Sequence, residues 1–204
     1  SFNESSLNFT FDWTEYDARV SENLAWGARS IRIGSLYPAG NKYQFLSQEY
    51  NQSFINFHRQ IAEHFESKSW LQFAYIYIID EPNLEGVKNE VYPSFKLIKE
   101  AHSGLRTMIT ASPSKENIEI LETVIDIWCP IYTPLDMDLV ADQKAKGKEI
   151  WQYPCLYPRP PNFNFMIHNA NSDTRLYYWH IQDVDFQGVL YWSVHFLYNS
   201  HDGL

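Results

Sequence analysis

The most informative stretch of the sequence is residues 73–82, Phe-Ala-Tyr-Ile-Tyr-Ile-Ile-Asp-Glu-Pro. The part from Phe73 to Ile79 is a continuous apolar run, which is typical of a parallel strand buried on both faces. The run stops at two acidic residues, Asp80 and Glu81, and Pro82 follows them. Proline ends strand pairing and restricts the backbone of the residue before it. The stretch therefore predicts a central strand with an acidic pair at its carboxyl end.

Strand-like and helix-like segments alternate on both sides of this stretch. The helix over 47–68 is indicated by an apolar stripe at helical spacing, from Phe54 to Phe65. Alternating strands and helices predict parallel strands joined by right-handed crossovers. Further strands are predicted at 31–36, 106–110, 124–129, 149–153 and 188–194. Helices are predicted at 13–26, 47–68, 91–102, 115–122, 135–146 and 172–184.

The alternation fits either a doubly wound sheet or an eight-stranded barrel. The sequence lacks the glycine-rich phosphate loops G-x-G-x-x-G and G-x-x-x-x-G-K of nucleotide-binding sheets. Polar and aromatic residues instead follow several different strands, which is the arrangement of a (β/α)8 TIM-type barrel. Such a barrel has roughly 250 residues, whereas this chain has 204. We therefore expect one partial catalytic barrel domain over 1–204, with about strands 3–8 present and the first units upstream.

Composition narrows the class of ligand. Aromatic residues make up 17% of the chain, and rings with a polar edge suit the surface of a sugar, although aromatic packing in the core would give the same figure. The net charge of −9 argues against nucleic acid and against an anionic membrane surface as partners. No apolar run approaches the length of a membrane span. Oligomeric state is not indicated.

Cysteines and glycosylation triplets bear on the compartment. Three N-x-S/T triplets begin at Asn3, Asn8 and Asn51, which favours a glycoprotein of a secreted or lysosome-like compartment. Cys129 and Cys155 are expected to be free thiols, although a single bridge stays open. No third acidic or histidine ligand stands at a comparable strand end, so neither a metal nor a cofactor is predicted.

The adjacent carboxylates of Asp80 and Glu81 set the expected chemistry. Each loses hydration at a strand end and each repels the other, so one is expected to have a raised pKa and to serve as a general acid. Ordinary glycosidases place two carboxylates about 5–9 Å apart across the scissile bond, which neighbours on one strand do not offer. The pair suits a division of labour in which one acid protonates the leaving oxygen and the other orients an attacking 2-acetamido group. A solvated turn and a magnesium site are the alternatives.

Five segments resemble, in the same order, the catalytic domain of glycoside hydrolase family 123. The resemblance covers most of the chain, roughly from Trp13 onward. It implies a β-N-acetylgalactosaminidase-like glycosidase that removes terminal β-linked N-acetylhexosamine from a glycan or glycolipid by a retaining, substrate-assisted mechanism. The segments are Tyr75–Pro82, Asp126–Pro130, Gly147–Cys155, Arg175–Leu176 and Gly188–Val194.

The resemblance also implies roles for individual residues. Glu81 is expected to be the general acid/base, and Asp80 to orient and polarise the acetamido group, which then forms an oxazolinium intermediate. Trp192 is expected to wall the sugar pocket, and Tyr153 to hydrogen-bond the acetamido oxygen. Four further candidates are inferred from strand-end positions, where plain packing explains them equally well: Trp128, Trp151, Tyr132 and Arg32. Two other functions stay open, a glycosidase of different sugar specificity on the same scaffold and a non-catalytic carbohydrate-binding protein.

Overall fold

The computed structural model describes residues 1–34, 42–166 and 169–191. The chain has an α/β fold in which parallel strands alternate with helices. It divides into two compact units, and the division falls inside a short strand. The first unit comprises Ser1–Thr110 and Lys115–Ile127, and the second comprises Ala111–Ser114 and Trp128–Leu204.

The first unit contains a parallel sheet with helices. Strand β4 pairs in parallel with β3 on one side and with β5 on the other, and Tyr77 lies opposite Met108 in this register. In chain order its elements are β1 (Phe2–Asn3), β2 (Asn8–Phe9), α1 (Thr14–Ala25), β3 (Ile31–Ile33), α2 (Gln48–Ser67), β4 (Ala74–Tyr77), α3 (Leu84–Gly86), α4 (Tyr92–Ala101), β5 (Arg106–Ile109), α5 (Lys115–Leu121) and the first residue of β6 (Ile127–Trp128). A π-helical turn, Val87–Val91, joins α3 to α4.

Helix α2 shows why these residues fold as they do. Ser47 caps it, because its hydroxyl accepts a hydrogen bond from Tyr50 N at 3.2 Å. The stripe of Phe54, Phe57, Ile61 and Phe65 is buried, as the helical spacing predicted. Burying such a stripe in the core is what stabilises a helix whose opposite face is polar.

The second unit repeats the pattern on a smaller scale. Its elements are α6 (Met137–Ala145), β7 (Glu149–Gln152), α7 (Asp173–Asp183) and β8 (Gly188–Val189). Strands β7 and β8 pair in parallel, with Trp151 opposite Gly188. Asp136 caps α6 by accepting from the backbone of its first turn, and Gly147 follows it with a φ of 79°, the left-handed conformation expected after a helix end.

The predicted alternation is confirmed, but several bounds differ. The helix predicted at 91–102 begins as early as Leu84, because Asn83 caps it by accepting from Gly86 N at 2.8 Å. The strand predicted at 124–129 is reduced to Ile127–Trp128, because the Asp126 carboxylate accepts from Thr107 N at 2.7 Å where a backbone carbonyl would continue the ladder. The antiparallel pair β1–β2 was not predicted.

This alternation is consistent with a part of a (β/α)8 barrel. A closed ring of eight strands stays a prediction, and so does the single domain over 1–204. Of the last predicted strand, Gly188–Val189 is confirmed, whereas 192–194 lie outside the described residues. None of the helices in the described ranges has the length and apolarity that a membrane crossing needs. Cys129 is buried, Cys155 is half-buried, and both are free thiols.

Candidate active site

The acidic pair follows β4, at the carboxyl end of the strand. β4 ends at Tyr77, and two further residues lead to Asp80 and Glu81. The backbone turns at Glu81, whose φ of 43° lies in the left-handed region that residues with a side chain seldom adopt. A break was expected here, because neighbours in a regular strand point to opposite faces of the sheet.

Both acidic residues of the pair are exposed in this chain. The loss of hydration expected from the sequence is therefore absent, because the strand ends before the pair and the two residues stand beyond its buried part. Exposure does not remove either residue from its expected role, since a general acid has to reach a glycosidic oxygen. The individual roles of Asp80 and Glu81 stay predictions.

Two hydroxyl groups hold one oxygen of Asp80. The Tyr77 hydroxyl donates to Asp80 Oδ1, and Thr110 Oγ1 lies 3.4 Å from the same oxygen. The two hydroxyl oxygens are themselves 3.1 Å apart. Burial, together with the hydrogen bond to Asp80, raises the pKa of Tyr77, so the phenol keeps the proton that it donates. The Asp80 carboxylate is thus fixed in orientation rather than free to rotate.

The same threonine also contacts the backbone of the second acid. Glu81 N donates to Thr110 Oγ1 at 2.7 Å, and Thr110 is only 6% exposed. Thr110 directly follows β5, the neighbour of β4, so adjacent strand ends supply this network. Neither Thr110 nor Tyr77 was among the residues predicted from the sequence. The available signal was that Thr110 ends one predicted strand and that Tyr77 lies two residues before the end of another.

Arg32, predicted only from its position at a strand end, belongs to this cluster. Its guanidinium carbon lies 4.9 Å from the centre of the Tyr77 ring, within the range of a cation–π interaction. Its Nη2 also donates to Tyr77 O at 3.5 Å. The structure therefore brings Arg32 together with the tyrosine that donates to Asp80.

A cavity of about 540 Å³ opens in the first unit beside Ile79, the residue before the pair. Ligand sites typically have volumes of roughly 300–1,000 Å³, with aromatic walls and a few polar groups. Asn89 and Glu90 reach this cavity from the π-helical turn Val87–Val91, and such turns are frequent at functional sites. The aromatic residues of its lining are Tyr43, Phe45 and Tyr50. Its size and lining suit a sugar unit.

The predicted tryptophans of the second unit are held by neighbours. Trp128 is fully buried, and its Nε1 donates to Gln143 Oε1 at 3.0 Å, which favours the packing interpretation for this residue. Trp151 is 5% exposed, and its Nε1 donates to Glu149 Oε2 at 2.8 Å. A Cβ added to Gly188 would come within 2.6 Å of the Trp151 ring, so only glycine leaves room for it there.

The predicted tyrosines also belong to the second unit. Tyr153 is buried, and its backbone accepts from Tyr132 N at 2.8 Å. The Tyr132 ring lies 5.1 Å from that of His180, and burial lowers the pKa of His180. Tyr132, His180 and Gln152 line a cavity of about 330 Å³. Trp192 lies outside the described residues. The substrate-binding roles of all these residues stay predictions.

Metal ligands do not cluster in the described ranges. Within residues 1–34, 42–166 and 169–191, no three His, Cys, Asp or Glu side chains are grouped as a metal site would require.

Comparison with known proteins gives a family match over most of the chain. The family model described as the catalytic domain of glycoside hydrolase 123 matches residues 10–202. Among solved structures, the chain is similar to a family 123 glycoside hydrolase from Clostridium perfringens, whose structural analysis concerned glycolipid glycan hydrolysis. The two share 17% sequence identity at a TM-score of 0.68, over 91% of this chain and 36% of that chain, so they share a fold. Comparison with curated protein sequences finds no match.

Proposed function

Because the chain belongs to the catalytic domains of glycoside hydrolase family 123, a family of glycosidases, we propose that it releases terminal β-linked N-acetylhexosamine, with N-acetylgalactosamine favoured. The mechanism that we propose is retaining and substrate-assisted. Asp80 accepts a hydrogen bond from the acetamido N–H, and the acetamido oxygen attacks the anomeric carbon while Glu81 protonates the leaving oxygen. The oxazolinium intermediate is then opened by water, whose proton returns to Glu81.

The observation that carries this proposal is the anchored carboxylate of Asp80 directly before a second acid at a backbone turn. The Asp80 carboxylate is held by Tyr77, with Thr110 beside it, as an acid that orients a substrate group needs to be. Glu81 is exposed at a backbone turn, where its side chain can approach a glycosidic oxygen. An anchored carboxylate next to a second acid that faces solvent supports assigning orientation to Asp80 and proton transfer to Glu81.

The substrate class is proposed from two observations. The related enzyme from Clostridium perfringens was analysed for glycolipid glycan hydrolysis, which makes a glycan or glycolipid terminus the first candidate here. The cavity of about 540 Å³ beside Ile79 has room for one sugar unit, and aromatic rings in its lining suit the apolar face of such a ring. A glycosidase of other sugar specificity is the alternative, because fold does not fix substrate.

Hydrolysis of aryl β-N-acetylgalactosaminides by the full-length protein tests the proposal. Glu81→Gln removes the transferable proton and is expected to lower kcat/KM by about 10²–10⁴-fold. The loss should be larger for phenols that are poor leaving groups, since these depend most on protonation. Glu85→Gln is the matched control, because Glu85 is an exposed acid on the adjacent α3. Undiminished hydrolysis by Glu81→Gln would take the acid role from Glu81.

Plain hexosides separate the two substrate alternatives. An enzyme that uses the acetamido group as nucleophile should leave the corresponding aryl β-galactoside intact, because that sugar has no group to attack its own anomeric carbon. Proton NMR of the first product formed should show the β-anomer. Comparable turnover of both substrates, or an α-anomer as the first product, contradicts the substrate-assisted mechanism.

A further inference from the structure

The Thr110 hydroxyl stands between the two acids rather than beside one of them. It accepts from Glu81 N at 2.7 Å, lies 3.4 Å from Asp80 Oδ1 and lies 3.1 Å from the Tyr77 hydroxyl oxygen. A hydroxyl can accept from one donor while its own proton goes to another acceptor. One side chain at the end of β5 therefore connects the backbone of Glu81 to the carboxylate of Asp80.

The Glu81 backbone depends on such a contact. A φ of 43° is unfavourable for a residue with a Cβ, and it persists only where the surroundings impose it. Pro82 already limits the conformations open to Glu81, and the hydrogen bond from Glu81 N to Thr110 selects the observed one. Without that bond, the backbone could relax and move the Glu81 carboxyl group away from its present position.

The Asp80 carboxylate is anchored on a single side. The hydrogen bonds found for it in the described part of the chain fall on Oδ1. An anchor on one oxygen orients the plane of the carboxylate and directs Oδ2 away from the anchor. In the proposed mechanism, Oδ2 is then the atom that accepts the acetamido N–H.

We propose that Thr110 is a positioning residue, which sets the placement of the proton donor relative to the acetamido-orienting carboxylate by bonding to both residues. Tyr77 assists it by donating to the same oxygen of Asp80. This inference rests on the proposed function for its kinetic consequence, whereas the bond between Thr110 and Glu81 can be tested without any substrate.

The kinetic test compares two substitutions of Thr110, each of which changes one group of its side chain. Thr110→Val replaces the hydroxyl by a methyl group, and Thr110→Ser keeps the hydroxyl and removes a methyl group. Misplacement of a reacting group by about 1 Å costs roughly 100-fold in rate, so Thr110→Val is expected to lower kcat by about 10- to 100-fold with little change in KM. Thr110→Ser should restore kcat to within a few-fold of wild type. Tyr77→Phe should lower kcat in the same way and provides a second variant if Thr110→Val does not fold.

Amide hydrogen exchange at Glu81, followed by NMR in the full-length protein, tests the geometry itself. The Glu81 amide should be protected in wild type and in Thr110→Ser, and its protection should be lost in Thr110→Val and kept in Tyr77→Phe. Wild-type kcat in Thr110→Val, or no rescue by serine, overturns the positioning role. If the wild-type protein cleaves no N-acetylhexosaminide, the proposed function fails. The exchange measurement still tests the hydrogen bond between Thr110 and Glu81 in that case. Loss of Glu81 protection in Thr110→Val supports this bond, and unchanged Glu81 exchange overturns it.

Discussion

His58 gives the protein a pH-dependent stability whose size follows from its surroundings. The residue lies on α2 with a relative exposure of 0%. Its Nδ1–H donates to Phe54 O at 2.8 Å, while Nε2 is buried and has no hydrogen-bond partner among the residues that the structure describes. Burial lowers the pKa of His58 to about 4, against a smaller opposing effect of the bond to Phe54. The folded protein therefore holds this imidazole neutral.

The sign and magnitude of the effect of His58 on the free energy of unfolding follow from the linkage between protonation and folding. An unfolded histidine has a pKa of about 6.5, so above that pH both states are neutral and the contribution of His58 to stability is fully present. As the pH falls from about 6.5 towards 4, the unfolded state binds the proton first and stability is lost. The full loss is about 3 kcal/mol, and by about pH 5 it has reached roughly 2 kcal/mol. A lysosome-like compartment, favoured by the N-x-S/T triplets, would impose this cost.

Urea unfolding of wild type and His58→Leu at about pH 7.5 and about pH 5 measures the effect. Leucine fills the site without a titrating group, so the other histidines contribute equally to both proteins. Wild type should lose roughly 2 kcal/mol more than the variant between the two pH values. An NMR titration of the His58 ring should give a midpoint near the value of about 4. A midpoint near 6.5, or equal pH dependence of the two proteins, would show that burial does not hold His58 neutral.

Three further predictions concern single substitutions, two in the first unit and one in the second. Asp80→Asn should lower kcat by about 100-fold and weaken inhibition by a thiazoline analogue of the oxazolinium intermediate. Equal inhibition of wild type and Asp80→Asn would contradict the proposed role of Asp80 in orienting the acetamido group. Gly188→Ala should destabilise the protein by about 1–3 kcal/mol, because the new Cβ would meet the Trp151 ring; an unchanged melting temperature argues against that close contact. Asp126→Asn should lower the free energy of unfolding in urea by about 1–3 kcal/mol, because the Lys99 ammonium, 2.6 Å from Asp126 Oδ2, loses its charged partner. If the effects of Lys99→Met and Asp126→Asn on this free energy are fully additive, the two residues are not coupled.

Local patterns in the sequence were sufficient for the order of the parallel strands and of the helices between them. The apolar run before Asp80 and the stripe on α2 depend on residues that are near one another in the chain, so they can be recognised without a tertiary structure. The end of the run at an acidic pair and proline likewise located the candidate site. Family membership, implied by five ordered segments, is confirmed by the match over residues 10–202.

The contacts that give the pair its geometry depend on strands that are far apart in the chain. Thr110 meets Glu81 only because β5 pairs with β4 in a register that puts Tyr77 opposite Met108, two residues before Thr110. That register, the left-handed turn at Glu81 and the exposure of both acids follow from how the whole first unit packs. Local sequence was enough to place these two acids at the end of a strand. The side chains that hold them could not be found in the same way, because hydrogen bonds between neighbouring strands join residues that are far apart in the chain, and no periodic pattern reveals such pairs.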